Sequence, residues 1–421
     1  MPNHANPRQS VPKPTQCFEN RYSSINLVKG RNRYLQALII SKSAIMAHVL
    51  FGLLGISGLI NLYCGGSCRL KHIPLICAVK NMELQKNFQL RNYNTFRVSA
   101  YASYFARFNS AYTLEELLGS HHVDSDKIVP MVLGGGSNIL FMGNCELVLK
   151  NEIMSIHLVG EDDEHVYVKA GAGESWHSLV MYCVQKNYGG IENLSLIPGS
   201  VGASPLQNIG AYGVELKDVL YELNAFHFKE KKVVVFTNSD CEFRYRNSVF
   251  KQKYKDQFAI LDVTFRLKKE PLYNTSYVAL KTELERMGVQ DLNLAVISQA
   301  IINVRSAKLP DPAKIGNAGS FFKNPEIPRD VYLKLVNSFP GLVAFELDDA
   351  SYKLAAGWLI EQCGFKGFRR GDAGCYEKQA LVLVNYGEAT GAEIYALSEE
   401  IIKAVSDKFQ LVLEREVNVI K

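Results

Sequence analysis

Two glycine-rich segments are the features of this sequence that most directly suggest chemistry. Residues 134–138 (GGGSN) follow an apolar run, and residues 197–213 (IPGSVGASPLQNIGAYG) form a longer series of small residues. Glycine lets main-chain N–H groups approach a diphosphate because no Cβ lies in the way. Small residues supply little core volume, so we expect these segments to bring the backbone close to a ligand. Two such segments suit a long dinucleotide.

The GGGSN segment by itself is weak evidence for phosphate binding. A Walker loop would continue with Lys and Ser or Thr, and a G-x-G-x-x-G loop would have glycine at the position of Ile139. A plain glycine-rich turn therefore competes with the ligand-binding interpretation, which is favoured by the second segment.

The positions of the histidines and cysteines limit the chemistry. The last of nine histidines is His227, so a general acid, base or metal ligand from residues 228–421 must be another residue type. A Ser-His-Asp triad drawn from that part is excluded. The nine cysteines show neither a CxxC pair nor zinc-finger spacing, so we expect reduced thiols and no metal site.

Periodic segments predict the elements that position these residues. The β-branched run 128–133 predicts a buried strand leading into GGGSN, and residues 166–170 predict another strand before a helix over 176–184. Residues 379–385 predict a strand in the C-terminal part.

Two capping boxes predict helix starts, and one alternating segment predicts the last strand. Thr113 with Glu116, and Thr390 with Glu393, each have the spacing of a capping box, the second ahead of a helix that reaches residue 409. Alternation over 411–420 predicts a strand with residues 414, 416 and 418 on one face. A polar row of this kind is usually a solvent-facing one.

Composition and charge separate the N-terminal part from the rest. The 421 residues, 47% of them hydrophobic, are enough for two or three domains. Ten of the 47 Lys and Arg residues but only one acidic residue, Glu19, lie within residues 1–81. The remainder has no basic stripe with interleaved aromatic residues, so we expect no nucleic-acid partner.

Residues 1–81 are predicted to be an N-terminal extension with an uncharged apolar segment at 43–68. A segment of that length can span a bilayer. The positive charges that flank it weakly favour a cytoplasmic N-terminus, and this orientation would put residues 82–421 outside the cytoplasm. Three interpretations stay open: a membrane anchor, a soluble tail, or a leader upstream of a natural start at Met82 that is absent from the cellular protein.

Residues from about Met82 onwards resemble UDP-N-acetylenolpyruvoylglucosamine reductase, in its longer subtype with a tyrosine lid loop. The strings GGGSN, GAGESWHSLV, GGIENLSLIPGSVGASPLQNIGAYGVEL, YRNSVFK, GNAGSFFKNP and LEREV carry the resemblance. It implies a mixed α+β and α/β fold with a vanillyl-alcohol-oxidase-type (PCMH-like) FAD-binding domain in two lobes. The implied boundaries are an FAD-binding region at 82–309, an α/β substrate-binding domain at 310–410 and a C-terminal strand at 411–421.

The resemblance also implies non-covalent FAD, with NADPH as hydride donor. The residues expected at the cofactor are Gly134, Gly135, Gly136, Ser137, Asn138, Pro198, Gly199, Ser200, Gly202, Ala203, Ser204, Asn208, Gly210 and Ala211.

Three catalytic residues follow from the same resemblance. Arg246 in YRNSVFK would face the substrate carboxylate, which suits the planar, permanently charged fork of arginine. Ser320 in GNAGSFFKNP would protonate the reaction intermediate, and Glu416 in LEREV would lie beside it. The family often has proline where this chain has Arg415, and Cys375-Tyr376 replaces a common Val-His pair.

Four further residues are expected at the substrate. They are Tyr212, Lys308, Asn324 and Tyr277, the last of them as the lid that excludes water.

The implied reaction is the reduction of UDP-N-acetylglucosamine enolpyruvate to UDP-N-acetylmuramate for peptidoglycan synthesis. Reduced flavin would deliver hydride to the terminal enolpyruvyl carbon, and Arg246 and Glu416 would stabilise the enolate. Glu416 can do so only if it is protonated or bridged to a cation or water. The resemblance implies a cytoplasmic monomer, with membrane contact only if segment 43–68 is a real anchor.

Two other functions are weighed against this one. An oxidase of the same fold would share the glycine-rich segments but would have no reason to keep Arg246, Ser320 and Glu416 together. A membrane-tethered protein that only senses a nucleotide sugar would be colourless and would not oxidise NADPH.

Overall fold

The computed structural model describes residues 84–119 and 128–421. The predicted N-terminal extension, its apolar segment 43–68 and Met82 lie outside the described residues. Within the described ranges, no helix is long and apolar enough to cross a membrane.

The first sheet combines antiparallel and parallel pairs and ends at the first glycine-rich segment. Its strands in sheet order are β1 (Gln85–Gln89), β2 (Tyr101–Phe108), β5 (Cys145–Asn151) and β3 (Met131–Leu133). β1 is antiparallel to β2, whereas β5 is parallel to both β2 and β3. The chain leaves β3 directly into GGGSN as predicted, but the strand covers only 131–133 of the run 128–133, and Val129 is exposed instead of buried.

Helix α1 (Ala111–Gly119) packs on this sheet through Leu114, Leu117 and Leu118, which are buried. The predicted cap at Thr113 is wrong, because the helix begins at Ala111. Ser110 and Thr113 cap it reciprocally: the Ser110 N–H donates to Thr113 Oγ1 at 3.0 Å, and the Thr113 N–H donates to Ser110 Oγ at 3.1 Å. A serine three residues upstream thus takes the role assigned to Thr113.

The second sheet is antiparallel and has five strands. In sheet order they are β11 (Lys232–Thr237), β10 (Leu220–His227), β12 (Phe258–Lys268), β7 (His165–Gly171) and β6 (Ile156–Glu161). Helix α2 (Trp176–Gln185), capped by Ser175, packs five buried side chains against this sheet's core. The predicted strand at 166–170 and helix at 176–184 are confirmed.

Short elements complete this half of the chain and lead to two paired helices. The hairpin of β8 (Gly210–Ala211) and β9 (Val214–Glu215) begins within the last residues of the second glycine-rich segment. Helices α3 (Val278–Arg286) and α4 (Leu294–Lys308) pack on each other. The 3-10 helices are Arg91–Tyr93, Glu192–Leu194, Val201–Ala203, Pro205–Gln207, Leu216–Asp218, Ser239–Cys241 and Val249–Lys251.

The C-terminal part has two small antiparallel sheets and three helices around one apolar core. The four-stranded sheet is β13 (Gly316–Ser320), β19 (Val382–Asn385), β18 (Ala373–Cys375) and β17 (Arg369–Arg370). The three-stranded sheet is β14 (Glu326–Pro328), β16 (Ser351–Leu354) and β15 (Ala344–Asp348). The helices are α5 (Arg329–Ser338), α6 (Ala356–Gln362) and α7 (Gly391–Phe409). Thr390 and Glu393 form the predicted capping box of α7.

The last strand is shorter than predicted. β20 (Asn418–Ile420) pairs in parallel with β4 (Ile139–Phe141), which follows GGGSN. Residues 414–416 lie before it in an irregular segment, because they pair with residues 321–323 instead of with a regular sheet. The side chain of Glu414 is 71% exposed and that of Glu416 is 13% exposed, so the two do not share a solvent face.

Candidate active site

A cavity of about 220 Å³ lies where the two glycine-rich segments meet. A Cβ atom on Gly135 would lie 2.9 Å from the Cα of Gly199. Gly136 has a φ of +62°, and a Cβ there would lie 2.0 Å from the carbonyl oxygen of Tyr93. Glycine is therefore required at 135 for the two segments to approach each other, and at 136 for the first segment to pass Tyr93 in a left-handed conformation.

Most of the predicted cofactor residues line this cavity. Those that do are Gly134, Gly135, Gly136, Ser137, Asn138, Pro198, Gly199, Ser200, Ala203, Ser204 and Gly210. Gly202, Asn208 and Ala211 are not part of its lining. A Cβ on Gly202 would lie 2.5 Å from that of Ala172, and the buried Asn208 amide donates to Glu215 and to the Arg244 carbonyl. Gly202 and Asn208 therefore contact residues outside the cavity lining and support the cavity wall indirectly.

Arg246 and Glu416 form an ion pair at the cavity, and both side chains are largely buried. Arg246 Nε lies 2.9 Å from Glu416 Oε1, with 18% and 13% of the two side chains exposed. Arg246 Nη2 donates to the Gly210 carbonyl at 2.8 Å. The Nε–H direction does not point at the Glu416 oxygen, so the contact is an ion pair, and this buried nitrogen has no hydrogen-bond acceptor among the described residues.

Glu416 is held at the cavity by main-chain contacts. Its N–H donates to the Phe321 carbonyl at 2.8 Å, and its carbonyl accepts from the Asn138 side chain at 3.3 Å. Burial raises the pKa of the Glu416 carboxyl above its ordinary value of 4.5, although Arg246, Lys251 and Lys323 each act to lower it. The desolvated carboxyl is thus shifted towards its protonated form.

Ser320 ends strand β13 and lines the same cavity as Arg246 and Glu416. The preceding residue, Gly319, has a φ of +70°, a conformation that favours glycine. The fold therefore brings together the three residues that the sequence strings place 74 and 96 positions apart.

None of the four predicted substrate residues lines the cavity. Tyr212 and Tyr277 meet edge to face, with ring centroids 5.2 Å apart. Lys308 is exposed at the C-terminal end of α4, and the Asn324 Oδ1 atom accepts the Ala356 N–H at the start of α6.

Arg305 was not predicted from the sequence, yet it lines the cavity one turn before Lys308. Its Nε donates to the Leu196 carbonyl at 3.3 Å. Burial lowers its pKa, and the neighbouring Tyr212 opposes that shift. Arg305 occurs in the RSAKLP string next to the predicted lysine, but nothing in its spacing distinguishes it from a surface arginine.

Lys251 and Gln207 were also missed as individual residues. Lys251 Nζ donates to Gln207 Oε1 at 3.3 Å, and the same oxygen accepts from Asn138 Nδ2 at 2.7 Å. Burial lowers the pKa of Lys251. This network joins both glycine-rich segments to the YRNSVFK segment.

These residues fit a dinucleotide cofactor. The walls lack Cβ atoms where the segments come closest, and two arginines at the cavity favour an anionic ligand. The unpartnered Arg246 Nε is a donor that a bound group can satisfy.

Two family models match parts of the chain that correspond to these observations. The model described as FAD binding domain matches residues 113–230. The model described as UDP-N-acetylenolpyruvoylglucosamine reductase, C-terminal domain, matches residues 311–420.

Curated relatives match most of the chain. A UDP-N-acetylenolpyruvoylglucosamine reductase of Flavobacterium johnsoniae is 44% identical over 341 residues, which are 80% of this chain and all of the relative. The protein of the same name from Amoebophilus asiaticus is 45% identical over 341 residues, 81% of this chain and all of the relative.

A solved structure has a similar fold. UDP-N-acetylenolpyruvylglucosamine reductase from Thermus caldophilus is 22% identical, covers 81% of this chain and all of its own, and has a TM-score of 0.56. Together with the two domain matches, this confirms the predicted fold class: a vanillyl-alcohol-oxidase-type FAD-binding domain with a C-terminal domain. Because full-length relatives are 44% and 45% identical to it, the chain belongs to the UDP-N-acetylenolpyruvoylglucosamine reductase family and is an oxidoreductase.

Proposed function

We propose that this enzyme uses NADPH and non-covalent FAD to reduce UDP-N-acetylglucosamine enolpyruvate to UDP-N-acetylmuramate in peptidoglycan synthesis. The observation that carries the proposal is the meeting of Arg246, Ser320 and Glu416 at one cavity between the glycine-rich segments. An enolpyruvyl group needs three things here: a cation for its carboxylate, stabilisation of an enolate, and a proton for one carbon.

The glycine-rich segments 134–138 and 197–204 would hold the FAD. When bound, FAD supplies the redox chemistry, accepting hydride from NADPH and passing it to the terminal carbon of the enolpyruvyl group.

Arg246 and Glu416 would bind and stabilise the enolpyruvyl carboxylate as charge develops on it. Arg246 supplies a fixed positive charge, and its Nε, which makes no hydrogen bond to a described residue, can donate to a carboxylate oxygen of the substrate. Burial raises the pKa of Glu416, which favours the protonated form, and a protonated carboxyl can donate a hydrogen bond to an enolate oxygen. An ionised carboxylate would repel it.

Ser320 would give the proton to the carbon that bears the ether oxygen. Its hydroxyl is a donor on a residue that lines the same cavity as the Arg246 and Glu416 pair, in a part of the chain that has no histidine. Tyr277, in contact with Tyr212, would close over the UDP-sugar and exclude water. We further propose that Lys308 and Asn324 contribute to the UDP-sugar site once the lid closes, and that the enzyme is a cytoplasmic monomer without a nucleic-acid partner.

The test separates the two half-reactions. Purified enzyme is expected to be yellow, to be bleached by NADPH, and to be reoxidised rapidly by UDP-N-acetylglucosamine enolpyruvate in anaerobic stopped flow. Ser320→Ala is expected to leave bleaching unchanged and to slow reoxidation by about 10²- to 10⁴-fold, the usual contribution of a positioned acid. Ser338→Ala, on the exposed side of α5, is the matched control.

Two outcomes contradict the proposal. Equal loss in both half-reactions of Ser320→Ala would make Ser320 structural. Reoxidation by oxygen with peroxide release, and none by the enolpyruvyl substrate, would instead support an oxidase of the same fold.

A further inference from the structure

Arg415 lies between the two acids of LEREV, but its side chain turns away from the cavity towards helix α7. Its Nη2 forms an ion pair with Glu399 Oε1 at 2.6 Å, and its Nε donates to Ser398 Oγ at 2.9 Å. The guanidinium carbon lies 4.4 Å from the ring centroid of Tyr395. The three contacted residues, 395, 398 and 399, are spaced i, i+3 and i+4 and so lie on one face of the helix. The single Arg415 side chain therefore contacts every one of them within one turn of α7.

These contacts are more than a surface ion pair. The Arg415 side chain is only 19% exposed, and Ser398 is fully buried. The Tyr395 hydroxyl and Arg415 lower the pKa of Glu399, so Glu399 stays ionised at neutral pH. A planar fork held by an ion pair, a hydrogen bond and an aromatic face has little freedom to move.

The main chain at Arg415 connects this anchor to two catalytic residues. Arg415 forms a β-bridge with Phe322. On its two sides, the Glu416 N–H donates to the Phe321 carbonyl and the Lys323 N–H donates to the Glu414 carbonyl, both at 2.8 Å. Phe321 directly follows Ser320, so the pairing of 414–416 with 321–323 sets where Glu416 lies along the chain that carries Ser320.

Other contacts of the segment, such as the Lys323–Glu414 ion pair and the Asn138 bond to the Glu416 carbonyl, are directed away from helix α7, so its tie to that helix depends on the Arg415 side chain. Residues 411–417 belong to no regular strand, since β20 begins only at Asn418. Leu413 and Val417 anchor it in the C-terminal core, but apolar contacts are non-directional and do not fix the direction of the side chain between them.

We propose that Arg415 is a positioning residue, which holds the Glu416 carboxyl against Arg246 and in register with Ser320 by tying residues 414–416 to helix α7. The inference rests on the proposed function. It assigns a role to the residue between the two acids of LEREV.

The test compares Arg415→Met with a matched control, Arg370→Met. Arg370 makes a two-pronged ion pair with Glu400 of the same helix, at 2.6 and 2.9 Å, but does not contact residues 411–417. In the FAD-bound enzyme, Arg415→Met is expected to leave bleaching by NADPH within two-fold of wild type. Its reoxidation by the enolpyruvyl substrate is expected to slow by about 10- to 100-fold, the effect of a misplacement of up to 1 Å.

Amide hydrogen exchange supplies a second measurement that does not depend on turnover. Peptides covering 411–417 and 319–324 are expected to exchange at least about ten-fold faster in Arg415→Met, because the hydrogen bonds between them open more often. Arg370→Met is expected to match wild type in both assays. Arg415→Lys, which keeps the charge but not the fork, is expected to fall between wild type and Arg415→Met.

Exchange and reoxidation unchanged in Arg415→Met would overturn the inference. So would a loss of FAD and an equal slowing of both half-reactions in Arg415→Met and Arg415→Lys, which would give Arg415 a general structural role. A wild-type enzyme that is bleached by NADPH but not reoxidised by the substrate would contradict the proposed function instead, and the exchange rates would still decide whether the tether exists.

Discussion

The substitution Arg246→Met tests whether Glu416 is the buried partner that the structure shows. It removes the ion pair at 2.9 Å and leaves a carboxyl that is 13% exposed without its nearest cation. Removing one partner of a buried pair is strongly destabilising. The carboxyl can limit that cost by binding a proton, so the cost is bounded by the free energy of protonation.

The upper limit on this destabilisation follows from the ordinary pKa of a glutamate carboxyl, 4.5. At about 1.36 kcal/mol per pH unit, protonation costs roughly 1.4 kcal/mol at pH 5.5 and roughly 4 kcal/mol at pH 7.5. The lost hydrogen bond to the Gly210 carbonyl adds about 1 kcal/mol at either pH. The maximum destabilisation therefore rises from about 2.4 to about 5 kcal/mol. Burial already raises the pKa of Glu416 in the wild type, so part of this cost is present there and the measured difference is smaller.

The sign follows from proton linkage. A carboxyl whose folded pKa exceeds its unfolded value binds more protons when folded, so its contribution is most favourable below the unfolded pKa. Stability is then lost as the pH rises from that value towards the folded pKa. Arg246→Met must therefore be most destabilised, relative to wild type, at the higher pH.

The assay is urea unfolding followed by circular dichroism at pH 5.5 and 7.5, at one fixed FAD concentration because bound cofactor adds its own stability. In the double variant Arg246→Met/Glu416→Gln, residue 416 can no longer bind a proton. The part of the unfolding free energy that depends on pH through Glu416 is therefore expected to disappear. Lys334→Met, which removes an exposed pair with Asp330, is expected to match wild type at both pH values. A destabilisation by Arg246→Met that is the same at both pH values would refute the reasoning.

Two further predictions concern the cofactor wall and the C-terminal core. Gly136→Ala is expected to lower the free energy of unfolding by at least about 1–2 kcal/mol, because a residue with a side chain must adopt the left-handed conformation there. The new Cβ would also lie 2.0 Å from the Tyr93 carbonyl oxygen, so the variant is expected to retain FAD less well when retention is measured by flavin fluorescence. Gly119→Ala, whose Cβ would meet no described residue within 4 Å, is the control. Equal FAD retention in both variants would count against a tightly packed cavity wall. Thr390→Ala is expected to lower the free energy of unfolding by about 1 kcal/mol with unchanged turnover, since it removes the Thr390 and Glu393 capping box; loss of activity without loss of stability would contradict this.

Sequence reasoning predicted the elements whose signals are local. The run 128–133 leads into GGGSN as expected, and α7 starts at the capping box that was identified. The error at α1 was also local, because Ser110 offers the same capping chemistry as Thr113.

Side-chain positions that depend on tertiary contacts could not be predicted from periodicity. Alternation over 411–420 puts Glu414 and Glu416 on one face, but the pairing of this segment with 321–323 exposes the first and buries the second. Arg305 lies at the cavity and Lys308 does not, because one helical turn changes which side chain meets Leu196. No spacing rule in the sequence encodes that choice.

The protonation state of Glu416 depends on the same long-range pairing. Burial raises its pKa while three cations lower it, so the balance depends on how far the carboxyl is withdrawn from water. That depth is set on one side by the bond to Phe321 and on the other by β20, which pairs with β4 beside GGGSN. A sequence motif can supply the carboxyl, but only the completed fold buries it and so raises its pKa.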